Sequence, residues 1–284
     1  MNDMEILTID FQSTDASQLF SLSLKETGFA VLKNHNISIQ LIENCYEAWQ
    51  RFFSSNEKHD YTYQKPKQEG YFPFGTENAK DASISDLKEF FHFYLLGKQP
   101  IQLKEITIYL FNELLTIAKT LLQWVESYLP QEVSKQLSMP LHQMSVDSPN
   151  TLLRILHYPP LDSSIQNGAV RASAHEDINL ITLLPAATAP GLEVLDMNGH
   201  WHAVSCDKGN IVVNVGDMLQ KCTQGFYKST THRVINPNDA HDNVSRYSMP
   251  LFLHPEPNVM LAPQLTANEY LHERLRQIGI FDKE

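Results

Sequence analysis

The chain has 284 residues, 42% of them hydrophobic, which is enough to bury the core of one large domain, with or without a smaller appendage. Its 33 acidic residues against 22 Lys and Arg give a formal net charge of −11, so no basic surface is expected for nucleic acid or anionic lipid. The first residues lack a basic segment followed by an apolar stretch, and no run reaches the length of a membrane span, which predicts a cytoplasmic protein. Cys45, Cys206 and Cys222 form neither an even set nor a CxxC pair, so the sequence supports neither a disulfide framework nor a structural zinc site.

The first half of the chain is predicted to be mainly helical. Thr14 or Asp15 can cap a helix that ends at Gly28, and a buried strand follows directly. Apolar residues spaced by three or four predict a long helix over 103–129. Another stripe at helical spacing, interpreted as helix core, comprises Ile42, Cys45, Trp49, Phe52 and Phe53.

A polar segment at 60–86 interleaves glycine and proline with aromatic residues, which predicts an aromatic-lined loop. Tyr71, Phe72 and Phe74 are candidate substrate-binding residues, and the loop is a candidate lid. The same rings could instead pack over a pocket without touching a substrate. Both interpretations stay open at this point.

After Asn150 the periodicity changes from helical to short β-like runs separated by turn residues. The runs are 152–158, 178–184, 192–195, 211–215, 231–235 and 247–253. Asn198-Gly199 is suited to a two-residue hairpin, and Thr266 with Glu269 fits a helical capping box with a stop at Gly279. Several short strands with this spacing predict a sandwich or a jelly roll.

His175 and Asp177 place an imidazole and a carboxylate two residues apart, and such positions of an extended chain project from the same face. A third ligand would come from another strand, and His232 lies on such a run. Two histidines and one carboxylate on one face of an octahedron leave the opposite face open, as an Fe(II) site needs for a cosubstrate and O₂. The pair alone is weak, because a chain with 12 histidines produces one by chance.

The motifs around these residues make the assignment specific. They are Gly28-Phe29 with Asn34-His35, Gly70-Tyr71, Asp86 to Phe90, Leu153 to Pro160, Asn214 to Leu219, and Gly225 to Val234. In this order they resemble the isopenicillin N synthase-like family of 2-oxoglutarate- and Fe(II)-dependent dioxygenases over nearly the whole chain. Leu156 stands where some relatives have a cosubstrate-binding Asn, and Gln224 stands where the family usually has Asn.

The resemblance implies an α+β fold with a double-stranded β-helix, a cupin-like jelly roll, flanked by helices. Four segments are expected: an N-terminal dioxygenase region of mixed helix and strand at 1–100, a long supporting helix at 101–130, the catalytic core at 150–255 and a C-terminal helical segment at 256–284. His175, Asp177 and His232 would then be the metal ligands.

The resemblance also implies that Arg246 and Ser248 bind the distal carboxylate of 2-oxoglutarate. A guanidinium grips a carboxylate through two charge-assisted bonds, and a hydroxyl two residues along the same strand adds a third. Tyr158 would contact the cosubstrate near the metal, although a Tyr before Pro-Pro is often only core packing.

The implied activity couples oxidative decarboxylation of 2-oxoglutarate to hydroxylation, desaturation or ring formation in a small organic metabolite. The cofactors would be Fe(II) and 2-oxoglutarate, with ascorbate as an optional reductant, and the partners a small-molecule substrate and O₂, with no nucleic acid and no membrane. Two alternatives stay open: an oxidase of the same fold in which Arg246 and Ser248 hold a substrate carboxylate, and a non-enzymatic jelly-roll binding module. The sequence identifies neither the substrate nor the oligomeric state.

Two further patterns are given structural interpretations. His200 and His202 have ligand-like spacing, but they follow a glycine turn at a predicted hairpin tip and are expected to be exposed histidines. Asn214 to Asp217 is interpreted as a strand that ends in a tight turn, where Gly216 would adopt a conformation that other residues do not tolerate.

Overall fold

The computed structural model describes residues 4–64, 67–77, 85–162, 165, 168–239 and 241–279. In chain order its strands are β1 (Thr8–Asp10), β2 (Phe29–Lys33), β3 (Gly70–Phe72), β4 (Glu89–Phe93), β5 (Leu152–Tyr158), β6 (Ala172–His175), β7 (Ile181–Pro185), β8 (Leu192–Leu195), β9 (Trp201–Ala203), β10 (Ile211–Val215), β11 (His232–Val234), β12 (Arg246–Ser248), β13 (Leu251–Leu253), β14 (Met260–Ala262) and β15 (Leu265–Thr266). The helices are α1 (Ala16–Thr27), α2 (Ile39–Ser54), α3 (Ile101–Ser127), α4 (Gln131–Ser134), α5 (Leu141–Met144), α6 (Asp217–Cys222) and α7 (Ala267–Gln277), with a 3-10 helix at Asn56–Tyr61.

Two sheets form the centre of the fold. The larger has the order β1-β2-β10-β7-β13-β5-β4-β3, with β12 also paired to β5, and the smaller has the order β6-β11-β8-β9. Strands distant in sequence are neighbours in both sheets, and β1 and β2 are the parallel pair in a mainly antiparallel arrangement. This confirms the predicted α+β class with a jelly-roll core and flanking helices.

Helices cover one face of the larger sheet. The long helix α3 packs on α1, α2 and α5 and touches β7 and β13. In α2 the predicted stripe is buried, and the indole N–H of Trp49 donates a hydrogen bond of 3.0 Å to Thr107 of α3. None of the described helices is both long and apolar enough to cross a membrane.

Alternation along β5 shows which face remains for a site. Leu153 and Ile155 belong to the main core beneath the helices, whereas Leu156 and Tyr158 belong to a separate cluster. Because successive side chains of a strand point to opposite faces, this second set lies on the face turned away from the helices.

Most predicted elements match the structure. The runs 152–158, 192–195 and 211–215 coincide with β5, β8 and β10, and Thr266 and Glu269 form the predicted capping box of α7. The run 247–253 is divided into β12 and β13 at Pro250, which has no N–H to donate to the ladder. The register against β5 continues across this interruption.

The loop predicted at 60–86 needs correction where the structure describes it; residues 65–66 and 78–84 lie outside the described residues. Gly70–Phe72 form β3, paired with β4. Tyr71 is buried and its hydroxyl donates to Glu89, while Phe72 stacks between Tyr63 and Phe90 at centroid distances of 4.1 and 4.5 Å. Burial of two consecutive aromatic side chains, one in each of two core clusters, in a paired strand outweighed the glycine and proline signals of a loop.

The two-residue hairpin predicted at Asn198-Gly199 is also wrong. A two-residue turn of that type needs positive φ at both central residues, and only Gly199 has it, at 84°. The Asp196 carboxylate accepts hydrogen bonds of 2.8 Å from the backbone N–H groups of Asn198 and His200. These bonds support a longer connection between β8 and β9.

Candidate active site

His175, Asp177 and His232 converge, as their spacing predicted. His175 ends β6, and His232 lies directly opposite on β11. The Nε2 atoms of both histidines lie 3.8 Å from Oδ1 of Asp177, and the two imidazole centroids are 4.4 Å apart. Within the described residues this is the group of His, Cys, Asp and Glu side chains whose ligand atoms are close enough to share a metal ion.

Backbone carbonyls orient both imidazoles. Nδ1 of His175 lies 2.7 Å from the carbonyl oxygen of Ser173, and Nδ1 of His232 lies 3.1 Å from that of Thr230. A carbonyl only accepts, so each Nδ1 carries the proton and each Nε2 presents a lone pair toward Asp177. This is the tautomer that a metal ligand requires.

The carboxylate is held from the side opposite the histidines. Oδ2 of Asp177 accepts hydrogen bonds from Thr182 Oγ1 at 2.5 Å and Asn214 Nδ2 at 2.8 Å, which leaves Oδ1 facing the imidazoles. Sequence reasoning gave the segment beginning at Asn214 only a scaffold role, and the structure adds this orienting contact. Gly216 is needed for space and not for an unusual φ: its φ is −104°, and a Cβ would lie 2.2 Å from the Asn179 carbonyl oxygen.

The electrostatics of the three side chains suit a cation. Burial, followed by the neighbouring His232, lowers the pKa of His175 to about 4, so its imidazole is neutral. Burial alone would raise the pKa of Asp177, but the two histidines and its hydrogen bonds lower it overall, so the carboxylate is ionised. Two imidazole nitrogens and one anionic oxygen form the donor set typical of a mononuclear Fe(II) site with open positions.

Arg246 and Ser248 lie side by side on the inner face of β12, opposite β5, where Arg246 pairs with Tyr158 and Ser248 with Leu156. Arg246 is 1% exposed. Its Nε donates to the Ala189 carbonyl oxygen at 2.9 Å, and its carbon Cζ lies 5.1 Å from the Tyr158 ring centroid. Nη1 has no hydrogen-bond partner among the described residues, so a buried donor is left for a ligand oxygen.

Arg171 is a residue that sequence reasoning missed. It is 2% exposed, its Nη2 donates to the Val244 carbonyl oxygen at 2.7 Å, and its Nε has no partner in the described part of the chain. The only signal for it in the sequence was its position four residues before His175, since every second side chain of an extended chain lies on the same face. A bulge between β6 and β11 interrupts that alternation, so the signal could not be relied on.

A cavity of about 350 Å³ opens beside His175 and Asp177. Its further lining includes Glu77, Lys88, Arg154, Phe252, His254 and Leu271. Tyr71, Phe72 and Phe74 are not among the described lining residues, and Phe74 is 48% exposed. The structure therefore does not bring these three aromatic residues to the metal side of the cavity.

His200 and His202 lie apart from this site. Nε2 of His202 is 2.8 Å from Asp196 Oδ2, and the His200 side chain is 69% exposed. His200 is exposed, as expected from the sequence, whereas His202 lies in β9 and its side chain is only 27% exposed.

Comparison with known proteins agrees with this geometry. Residues 149–255 match the 2OG-Fe(II) oxygenase superfamily, and residues 5–108 match the N-terminal region of the non-haem dioxygenase in morphine synthesis. A 2-oxoglutarate-dependent dioxygenase of Monascus ruber is 30% identical, over 87% of this chain and 84% of its own length. A solved structure described as an oxygenase from Shewanella oneidensis is 45% identical, with a TM-score of 0.88, 98% of this chain covered and 100% of that chain.

The fold is shared more widely than the sequence. A full-length Neurospora crassa protein, solved in complex with alpha-KG, superposes with a TM-score of 0.82 at 23% identity, over 97% of this chain and 98% of that chain.

The family matches and the Monascus ruber relative show that this chain belongs to the 2-oxoglutarate- and Fe(II)-dependent dioxygenases. It is an enzyme that uses Fe(II) and 2-oxoglutarate to oxidise a small organic molecule.

Proposed function

We propose that His175, Asp177 and His232 hold the catalytic Fe(II). The observation that carries this assignment is the convergence of two backbone-oriented Nε2 atoms on one carboxylate oxygen, each 3.8 Å away. The ligand type and the facial arrangement match Fe(II) oxygenase chemistry, since three positions would stay open for exogenous ligands. All three residues lie in the segment 150–255, which we propose as the catalytic core.

Arg246, Ser248 and Tyr158 are the proposed residues for 2-oxoglutarate. The buried, unpartnered Nη1 of Arg246 supports this role, because a buried guanidinium without an acceptor is costly and a ligand carboxylate would supply one. Ser248 shares the same strand face, and Tyr158 packs against the guanidinium.

Bound Fe(II) and 2-oxoglutarate supply the oxidation: one atom of O₂ enters succinate as CO₂ is released, and the other oxidises the substrate. The chain positions the ligands, orients the carboxylate and shields the site from water. The organic substrate would lie in the cavity beside His175, with O₂ as co-reactant.

We also propose a cytoplasmic setting without nucleic-acid or membrane partners, which the net charge of −11 supports.

The test is metal and cosubstrate binding by the triad variants. Anaerobic protein titrated with Fe(II) and 2-oxoglutarate should develop a visible charge-transfer band and, in air, release succinate. His175→Ala, Asp177→Ala and His232→Ala should each lose the band and reduce succinate release by more than about tenfold, a barrier change above ~1.4 kcal/mol, with the circular dichroism spectrum unchanged. A variant that keeps both signals is not a ligand.

A further inference from the structure

The substrate cavity contains cations that the chain neutralises itself. Arg154 donates from Nη1 and Nη2 to the two carboxylate oxygens of Glu77, both at 3.2 Å, and from Nε to Nε2 of His92 at 2.8 Å. Its guanidinium also lies 4.7 Å from the Phe90 ring centroid and 5.5 Å from that of Phe252. All three guanidinium nitrogens of Arg154 therefore donate hydrogen bonds to residues of the same chain.

The ammonium of Lys88 is neutralised in the same way. Its Nζ lies 2.8 Å from an oxygen of Glu77 and 2.8 Å from one of Asp86. The other oxygen of Asp86 accepts from the backbone N–H and hydroxyl of Ser173, at 3.0 and 2.7 Å. Two cations thus face two carboxylates, and this wall of the cavity carries no net charge.

The ionisation states agree with this pairing. Burial alone would raise the pKa of Glu77, but Arg154 and Lys88 lower it well below its usual range. Burial, followed by Arg154, lowers the pKa of His92 to about 3, so its imidazole is neutral. An incoming carboxylate would have to displace Glu77 or lie against it, and like charges in a partly buried site repel strongly.

The third cation of the lining, Arg274, is also paired within the chain: its Nη2 lies 3.2 Å from Asp217 Oδ2, and its Nη1 donates to Gln277 at 3.1 Å. Neutral polar groups therefore remain to recognise a substrate. The Tyr94 hydroxyl and the Asn150 side-chain amide line the cavity and make no hydrogen bond within the described residues. The His254 imidazole is turned with Nδ1 toward the Phe252 carbonyl oxygen at 3.3 Å, which leaves its Nε2 available. Leu152, among other apolar side chains, completes the lining.

From this wall, and resting on the function proposed above, we infer that the organic substrate is an uncharged molecule. It has an apolar body small enough for a cavity of about 350 Å³ and carries neutral hydrogen-bonding groups. Arg154 and Lys88 shape the site but do not bind a substrate carboxylate.

The test uses benzamide and benzoate as probes of one shape and different charge. Each is titrated into protein loaded with Zn(II) and 2-oxoglutarate, and binding is followed by ligand-observed NMR. Wild-type protein should bind benzamide at least tenfold more tightly than benzoate. Glu77→Gln leaves Arg154 without a carboxylate partner among the described residues, while Lys88 keeps Asp86, and should improve benzoate binding at least tenfold, whereas the double variant Glu77→Gln/Arg154→Gln should lose that gain.

Glu43→Gln is the matched control, because Glu43 pairs with Lys208 and does not line the cavity. The inference would be overturned if the wild type bound benzoate as tightly as benzamide. It would also be overturned if Glu77→Gln gave no gain in benzoate binding, and this second comparison holds even if neither probe binds the wild type. Failure of the proposed function would appear separately, as wild-type protein that does not bind 2-oxoglutarate.

A different observation carries a second inference, about the cosubstrate. Arg171 and Arg246 are both buried, and no carboxylate among the described residues forms an ion pair with either. The two arginines are neighbours, because Arg171 donates a hydrogen bond to the backbone carbonyl oxygen of Val244. Val244 lies two residues before Arg246, the first residue of β12. Each has a fully buried guanidinium nitrogen without a partner in the described chain, Nε of Arg171 and Nη1 of Arg246.

The geometry points to Arg171 as a second cation that binds the distal carboxylate of 2-oxoglutarate together with Arg246. Two buried cations without an anion are costly in the empty protein, and a carboxylate between them removes that cost. In support, burial and the neighbouring Arg246 lower the pKa of Arg171. A residue with this role destabilises the empty protein and stabilises the loaded one.

Arg171→Met and Arg171→Lys test this assignment through affinity and stability measured separately. With Mn(II) in place of Fe(II), calorimetric titration of 2-oxoglutarate should show at least tenfold weaker binding for Arg171→Met and a smaller loss for Arg171→Lys. The urea midpoint of the protein without metal or cosubstrate should not fall. The exposed Arg51→Met is the control and should leave affinity unchanged. Unchanged affinity, with or without a lower midpoint, would make Arg171 a structural residue only.

Discussion

Buried cations occur in two regions of the proposed active site, the substrate cavity and the proposed 2-oxoglutarate site, and only those of the first region have carboxylate partners among the described residues. Arg154 and Lys88 are paired with Glu77 and Asp86. Arg246, deeper in the fold, has no carboxylate partner in the described chain and keeps an unpartnered donor. Because a buried cation needs an anion nearby, the region that lacks one is prepared for a charged ligand, and the region that supplies its own is not.

The largest effect is expected from Arg246→Lys, which changes a cation that has no carboxylate partner among the described residues. A point charge on a flexible stem replaces a planar fork, so the apparent KM for 2-oxoglutarate should rise by about ten- to a hundredfold, corresponding to about 1.4–2.7 kcal/mol. Succinate release at varied 2-oxoglutarate measures it. If the KM of the organic substrate rises while that for 2-oxoglutarate stays constant, the guanidinium holds substrate instead.

An intermediate effect is expected on stability when Glu77 is changed to Gln. The substitution removes a charged acceptor shared by Arg154 and Lys88, so the free energy of unfolding at pH 7 should fall by about 1–3 kcal/mol. The pKa of Glu77 is lower in the folded protein than its ordinary value of 4.5, so its stabilisation is complete above pH 4.5 and is lost as pH falls below it.

Urea denaturation of wild type and Glu77→Gln between pH 7 and pH 3.5 measures this difference. Both should lose stability from about pH 6.5 downward, because buried His92 has a pKa of about 3 when folded and 6.5 when unfolded. The two curves should run parallel to about pH 4.5 and then converge. A gap that stays constant at acidic pH would show that the carboxylate of Glu77 is not the stabilising group.

The smallest effect should come from Ser248→Ala, which removes one hydroxyl beside the Arg246 guanidinium. A single hydrogen bond contributes about 0.5–1.5 kcal/mol, so 2-oxoglutarate affinity should weaken by a few-fold to about tenfold. Calorimetric titration in the presence of Mn(II) measures it. A loss as large as that of Arg246→Lys would mean that the serine, and not the fork, dominates the contact.

Much of the fold was predictable because its signals are local. The period of the long helix and the bounds of β5, β8 and β10 follow from apolar spacing alone. The structure differed where distant partners decide: the aromatic segment at Gly70–Phe72 became a strand because β4 pairs with it. Pro250 divided a predicted run because it cannot donate a ladder hydrogen bond.

The sequence by itself determined the family and the pairing of His175 with Asp177 and of Arg246 with Ser248, because spacing of two residues along an extended chain sets which side chains share a face. It identified His232 through the motifs around it, and the pairing of β11 with β6 brings that residue to the other two. Tertiary structure alone decided which oxygen of Asp177 faces the histidines, since Asn214 comes from another strand. It also decided which cations are neutralised. Hydrogen bonds and ion pairs depend on distances of a few ångströms between residues far apart in the chain, and only the packed sheets set those distances.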